Sequence, residues 1–236
     1  MTSRTIIRYH DLDEIQREFL KYAPSYAQKE AAEAIWKVRE LQSQGVIRDG
    51  VYYIVLIDLV DSTKFSAEHG NDAIKSRIEQ FVTASFNALN NSQKSNVGLF
   101  VKEIGDAALY IFQHFPDILR WKGELDKALS IFSKSGMPPF VVRTCIHIGE
   151  VSLHGVNPLS LAVSQTFKME KSVRGGDIVL TDPAYCVAWP SIARAYHGFR
   201  AYGTVELDGF TKPVELHQLV LHDTEDIQRI AEEELD

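Results

Sequence analysis

Three absences narrow the reading before any motif is considered. The chain has only two cysteines, Cys145 and Cys186, among 236 residues. That excludes a disulfide framework and fits a reducing compartment. Cys145 lies in an apolar, strand-like run and reads as a core residue. There is no excess of basic residues: net charge is −7 and the pI is near 5.6. A polyanion-binding protein held by bulk electrostatics is excluded, although a local basic pocket is not. No apolar run approaches the roughly 18 residues that a membrane span needs, and MTSRTIIRYHDLDE contains no signal-type apolar stretch. The expectation is a soluble cytoplasmic protein that binds neither nucleic acid nor membrane. Internal repeats and low-complexity stretches are also missing.

What is present suffices for one substantial core. Hydrophobic residues make up 45% of the chain, enough for one domain with an appendage. Residues 1–48 read as a helical extension. Ala27, Ala31, Ala34, Ile35, Val38 and Leu41 recur at helical spacing, entered at Pro24-Ser25 and stopped at Gly45. Their apolar stripe needs a partner, either the chain's own domain or a second subunit. Residues 49–222 read as the main domain and 223–236 as an acidic tail, a solvated helix.

Within the main domain, residues 51–58 read as a buried strand. Residues 70–90 read as a helix with Ile74, Ile78, Phe81, Val82, Ser85 and Leu89 on one face. A hairpin at 97–104 and 107–112 turns at Gly105-Asp106, followed by a helix at 117–134 and a strand at 140–148. The order β-α-β-β-α-β predicts an α+β fold with a ferredoxin-like core, its helices on one face of an antiparallel sheet. A helix near 158–173, a strand at 177–181, a short helix near 182–188 and strands near 201–207 and 213–221 follow. Asp208-Gly209 marks the last hairpin.

Two aspartates stand where buried strands end: Asp58 after Ile54-Val55-Leu56-Ile57, and Asp106 at the hairpin turn. A single strand-end Asp is commonly a helix cap or turn residue. Two that converge would repel each other and raise a pKa. A divalent cation between them removes that cost and suits phosphoryl chemistry.

Four segments then resemble the class III nucleotidyl cyclases: Asp58-Leu59-Val60-Asp61-Ser62-Thr63, Val101-Lys102-Glu103-Ile104-Gly105-Asp106, Val142-Arg143-Thr144-Cys145-Ile146-His147-Ile148-Gly149-Glu150, and Leu207-Asp208-Gly209-Phe210-Thr211-Lys212-Pro213-Val214-Glu215-Leu216. They fall in order across about residues 50–220. The resemblance implies a class III cyclase catalytic domain that forms a homodimer with two interface sites. It also implies conversion of a nucleoside triphosphate to a 3′,5′-cyclic monophosphate and pyrophosphate, with two divalent ions, Mn2+ or Mg2+. Asp58 and Asp106 fall on the metal-binding aspartates, and Leu59 on the residue that lends a backbone carbonyl. Ser62 and Thr63 fall in the phosphate-binding turn, where Thr63 is equally readable as a plain helix cap. Arg143 falls on a triphosphate-binding arginine. Lys102 falls on a base-reading lysine and Asn157 on its companion.

The sequence also departs from that family. Ser164 stands where the family has an Asn, Lys168 where it has an Arg, and Asp208 where it has a Lys. Lys168 keeps the charge but loses the bidentate fork. With purine-reading positions altered and the metal aspartates kept, the chain is similar to the pyrimidine cyclases of Pycsar antiphage systems, whose product is read by a separate effector. Lys102 only donates, which suits uracil O4, and Asn157 can accept from uracil N3–H, so UTP is the expected substrate. A cytidylate cyclase, a purine cyclase with a divergent pocket, and a catalytically silent nucleotide-binding domain stay open. Arg174-Gly175-Gly176-Asp177 superficially resembles a diguanylate cyclase signature, but its context is that of a turn into a strand.

Overall fold

A computed structural model describes residues 49–92, 98–133, 138–154, 157–193, 198–207 and 210–221. The N-terminal helical extension, the Asp208-Gly209 turn and the acidic tail expected from the sequence lie outside the described residues.

The strands are β1 (Gly50–Leu59), β2 (Gly98–Ile104), β3 (Ala107–Phe112), β4 (Val142–His154), β5 (Asn157–Leu159), β6 (Ile178–Thr181), β7 (Gly198–Val205) and β8 (Val214–Val220). The helices are α1 (Ser62–His69), α2 (Asn71–Ser92), α3 (Phe115–Ser133), α4 (Leu161–Met169) and α5 (Asp182–Ala193). A 3-10 turn, Glu170–Ser172, extends α4.

The sheet runs β2-β3-β1-β4-β6-β8-β7, with β5 paired to β4. Its first four strands have the antiparallel order of the expected βαββαβ core. β4 and β6 are parallel neighbours, and β8 and β7 finish the sheet antiparallel.

β1 is central, and its composition follows from being covered on both sides. Tyr53, Val55, Ile57 and Leu59 pack into a core with Phe81, Leu89, Trp121 and Leu125 of α2 and α3. Tyr52, Ile54 and Leu56 face the other way, into a core with Ala162, Val163 and Met169 of α4. Two buried faces turn an alternating pattern into a continuous apolar run. The expected core helices, α2 and α3, share one face, and α4, which follows the core, covers the other. The contact is close: a Cβ on Gly149 of β4 would lie 2.5 Å from the Ala162 Cβ of α4.

Other differences are local. A separate eight-residue helix, α1, precedes the expected one, with Gly70 at φ 86° between them. β5 occupies the start of the segment expected to be helical, because Ser160 caps α4 by accepting from the Val163 N–H at 3.1 Å. α5 continues past residue 188 to Ala193, with Pro190 inside it. Trp189 and Pro190 are both exposed, so water can satisfy the carbonyl that the missing N–H leaves unpaired.

Candidate functional site

The end of β1 gathers charge. Asp58 lies opposite Arg143 of β4 on one side and Ala107 of β3 on the other. The β2–β3 turn, with Gly105 at φ 63°, carries Asp106 next to it. The Leu59 N–H donates to the Asp106 carbonyl at 3.1 Å, which ties the turn to the strand end. Ser62 Oγ donates to Asp106 Oδ2.

Asp58 is buried, with 7% of its surface exposed. Burial, followed by the Asp106 charge, pushes its carboxyl up to about 6; Arg143 pulls the other way and Glu170 adds to the rise. A carboxylate held in this way has a strong tendency to acquire a cation or a proton.

In the described chain, that cation is a guanidinium. Arg143 Nε lies 2.8 Å from Asp58 Oδ2, although its N–H direction does not make a hydrogen bond there. Arg143 Nη1 lies 2.9 Å from Glu170 Oε1 and also donates to the Glu170 and Val173 carbonyls, at 3.3 and 3.5 Å. The arginine expected to reach a triphosphate is thus tethered between two carboxylates.

Glu170 was not singled out from the sequence. It sits in a 3-10 turn just beyond α4 and outside that helix's periodicity. The only available signal was the cross-strand pairing of opposite charges, Asp58 with Arg143, which leaves one side of the guanidinium fork unaccounted for.

Beyond β1 the chain turns through Asp61, a non-glycine residue in the left-handed region at φ 61°, ψ 22°, and enters α1. Asp61 occupies the N-cap position but makes no side-chain cap. Thr63 is not the cap: it lies one residue inside the helix and is exposed. The first N–H groups of any helix lack intrahelical acceptors. Here they open beside Asp58 and Asp106, an arrangement able to receive phosphate oxygens. The turn is packed closely, since a Cβ on Gly175 would lie 3.0–3.2 Å from Val141 and Val60. Arg174 to Asp177 form the expected turn, with Gly176 at φ 88°.

Other expected residues stand apart from this cluster. Ser164 and Lys168 occupy the exposed face of α4, opposite the buried Ala162, Val163, Thr166 and Met169. Lys102 pairs with Leu109, which is in register with the strand that adjoins β1. It is two strands and two residues from Asp58, roughly 12 Å by ordinary strand spacing. Asn157 opens β5 and pairs with His154. His147, a quoted motif residue, is buried, with Nδ1 2.8 Å from Thr181 Oγ1. Burial lowers its pKa, which keeps the ring neutral as a packing element.

No protein-family model matches the chain, and no curated protein matches it at a significant level. Solved structures do. An adenylate/guanylate cyclase/hydrolase from Silicibacter pomeroyi is 19% identical at a TM-score of 0.61, covering 74% of this chain and 98% of that one. The adenylyl cyclase CyaB from P. aeruginosa is 14% identical at 0.57, covering 75% and 98%. The guanylate cyclase domain of RhGC from Catenaria anguillulae, solved in complex with GTP, is 13% identical at 0.58, covering 73% and 97%. The chain has the fold of class III cyclase catalytic domains. Among its described residues, no helix is long and apolar enough to cross a membrane.

Proposed function

We propose that this chain is a nucleotidyl cyclase that converts UTP to 3′,5′-cyclic UMP and pyrophosphate. The observation that carries the reading is the meeting of two carboxylates, Asp58 and Asp106, at the end of β1 beside an uncapped helix N-terminus. The raised pKa of Asp58 fits a site built for divalent cations. Asp58 and Asp106 would hold Mn2+ or Mg2+, with the Leu59 carbonyl one peptide on. When bound, the two ions lower the pKa of the ribose 3′-OH and neutralise the leaving pyrophosphate.

The chain's own residues do the rest. Ser62 fixes the Asp106 carboxylate, and the first turn of α1, including Thr63, offers N–H groups to the phosphates. Arg143 turns its fork to the triphosphate once Asp58 is otherwise engaged, while Glu170 keeps the guanidinium at the site. Lys168 and Ser164, exposed on α4, serve the transition-state charge and the ribose. Lys102 donates to uracil O4, and Asn157 accepts from N3–H.

The separation of Lys102 from Asp58 within one chain supports a homodimer in which each site takes its base reader from the partner. The resemblance to pyrimidine cyclases supports a cytoplasmic alarm signal in antiphage defence, read by a separate effector.

Two other readings have their own support. Structural neighbours include one solved with GTP and one of converted specificity solved with ATPαS, which favours a purine cyclase. The Arg143–Asp58 ion pair neutralises a metal-binding carboxylate without any metal, which favours a silent domain. Incubating the protein with each of the four ribonucleoside triphosphates and Mn2+ separates all three. Cyclic UMP and pyrophosphate are expected from UTP. Product from ATP or GTP alone would give the purine reading, and no product from any triphosphate would give the silent one.

A further inference from the structure

A second group of metal-binding side chains lies far from Asp58, on the other face of the sheet. Asp182 opens α5, directly after β6, while Glu215 and His217 alternate on β8. β6 and β8 pair so that Thr181 meets Leu216 and Leu180 meets His217. This places the two β8 side chains beside the start of the helix. Their ligand atoms, one from each of Asp182, Glu215 and His217, all lie within 4.8 Å of one another. His217 Nε2 is 3.0 Å from Asp182 Oδ1. One helical turn on, Cys186 directs its Sγ to the same Asp182 oxygen at 3.9 Å.

We propose that Asp182, Glu215 and His217 form a zinc site that ties the start of α5 to β8. The spacing is what such a site requires. Residues two apart on a strand share a face, so Glu215 and His217 converge on Asp182 at the start of the helix. Around Zn2+, metal–ligand bonds of about 2.0–2.3 Å put neighbouring tetrahedral donors roughly 3.3–3.8 Å apart. The three donor atoms lie within 4.8 Å of one another, the His217–Asp182 pair at 3.0 Å, so small side-chain rotations bring them to that spacing. One imidazole and two carboxylates, with water in the fourth position, suit Zn2+.

The imidazole is also held in place before any ion arrives. Tyr185, in the same helical turn, stacks on His217 at 4.0 Å between ring centroids and 12° between planes. That fixes the ring plane with Nε2 towards Asp182. The His217 side chain is mostly covered, Glu215 and Cys186 are exposed, and Asp182 is half-exposed, so an ion can enter from solvent.

The site is separate from the Asp58 cluster. β6 begins beside Thr144, next to Arg143, and Asp182 follows it four residues later, about 13 Å along the strand. Leu219, on the same side of β8 as His217, belongs to the core facing α2 and α3, whereas Leu216 belongs to the core facing α4. The proposal does not depend on the cyclase reading.

The test uses the full chain carrying Asp58→Asn and Asp106→Asn, which removes the other carboxylate pair. Zn2+ is titrated calorimetrically, and Co2+ is added separately as a spectroscopic substitute. One equivalent of Zn2+ should bind and raise the melting temperature. The Co2+ form should show the intense visible bands of a tetrahedral site, and Cys186→Ser should leave them unchanged. His217→Ala should weaken Zn2+ binding by well over tenfold, since loss of even an outer-sphere partner costs about that much. Glu215→Gln, an exposed change that leaves the fold intact, should also weaken it, so a misfolded His217 variant cannot decide the result. Failure of the parent to bind Zn2+, unchanged affinity in Glu215→Gln, or a weak octahedral Co2+ spectrum would each overturn the site.

Discussion

Asp58→Asn should make the metal-free protein more stable, and the gain should depend on pH in a calculable way. The carboxyl is raised from 3.8 to about 6, chiefly by burial and then by Asp106. Well below pH 3.8 it is protonated in both the folded and the unfolded chain, so wild type and variant should unfold alike. As pH rises from 3.8 towards 6, the unfolded chain ionises Asp58 first, and the folded state loses stability relative to it. Above pH 6 the loss is complete. A rise of about two pH units, at 1.36 kcal/mol each, corresponds to about 3 kcal/mol. For a domain of this size that is roughly 6–10 °C in melting temperature. Asn keeps the shape and never ionises, so the variant should melt higher at pH 8 in EDTA, with most of the difference gone by pH 4. Mn2+ should stabilise only the wild type, by about 2.7 kcal/mol at a hundred times its dissociation constant, which nearly closes the gap, and by about 4.1 kcal/mol at a thousand times, which inverts the order. The assay is a set of thermal melts at pH 4, 6 and 8, each with EDTA and with Mn2+. If Asp58→Asn instead melts lower than wild type at pH 8 in EDTA, the Arg143 ion pair outweighs burial, and the raised carboxyl is the wrong premise.

Three further outcomes are expected. Mixing an inactive Asp58 variant with an inactive Lys102 variant should restore part of the activity, because each heterodimer carries one intact site; no rescue from demonstrated heterodimers would count against a shared site. Lys102→Glu should lower the UTP-to-CTP turnover ratio, about tenfold for each 1.4 kcal/mol of lost discrimination, whereas an unchanged ratio in an active variant would remove Lys102 as base reader. Gly149→Val should destabilise the fold by about 1–3 kcal/mol in denaturant titration, because even a Cβ there overlaps Ala162 of α4; a neutral result would mean that α4 shifts freely on the sheet.

Much of the core was legible in the sequence because local signals and global packing agree. The run before Asp58, the Gly105-Asp106 turn and the apolar face at Phe81, Val82, Ser85 and Leu89 each report an environment that the structure provides. The extra helix α1, ahead of the expected one, was less visible. Only Gly70 marks it, and an isolated Gly within a helical pattern is tolerated often enough to carry little weight. The placement of α4 on the opposite face was invisible, since its amphipathic stripe says that it buries a face but not which side of the sheet it covers. In the site, Asp58 and Asp106 were legible as strand-end carboxylates. The Arg143–Glu170 contact was not, because it depends on β1–β4 register and on a 3-10 turn, both products of tertiary packing. The Asp182, Glu215 and His217 cluster was hidden for the same reason: its halves lie some thirty residues apart in sequence and meet only through β6–β8 pairing.

Turnover by the Asp106→Asn protein, beside wild type and Asp58→Asn, tests the central claim most directly. Cyclic product and pyrophosphate are measured with Mn2+ and the preferred triphosphate, after melts show each protein folded. If the two carboxylates hold the catalytic cations, each variant should lose at least about a thousandfold in rate, the effect of several kcal/mol on the barrier. Near wild-type cyclisation by either variant would contradict a cation site at the end of β1.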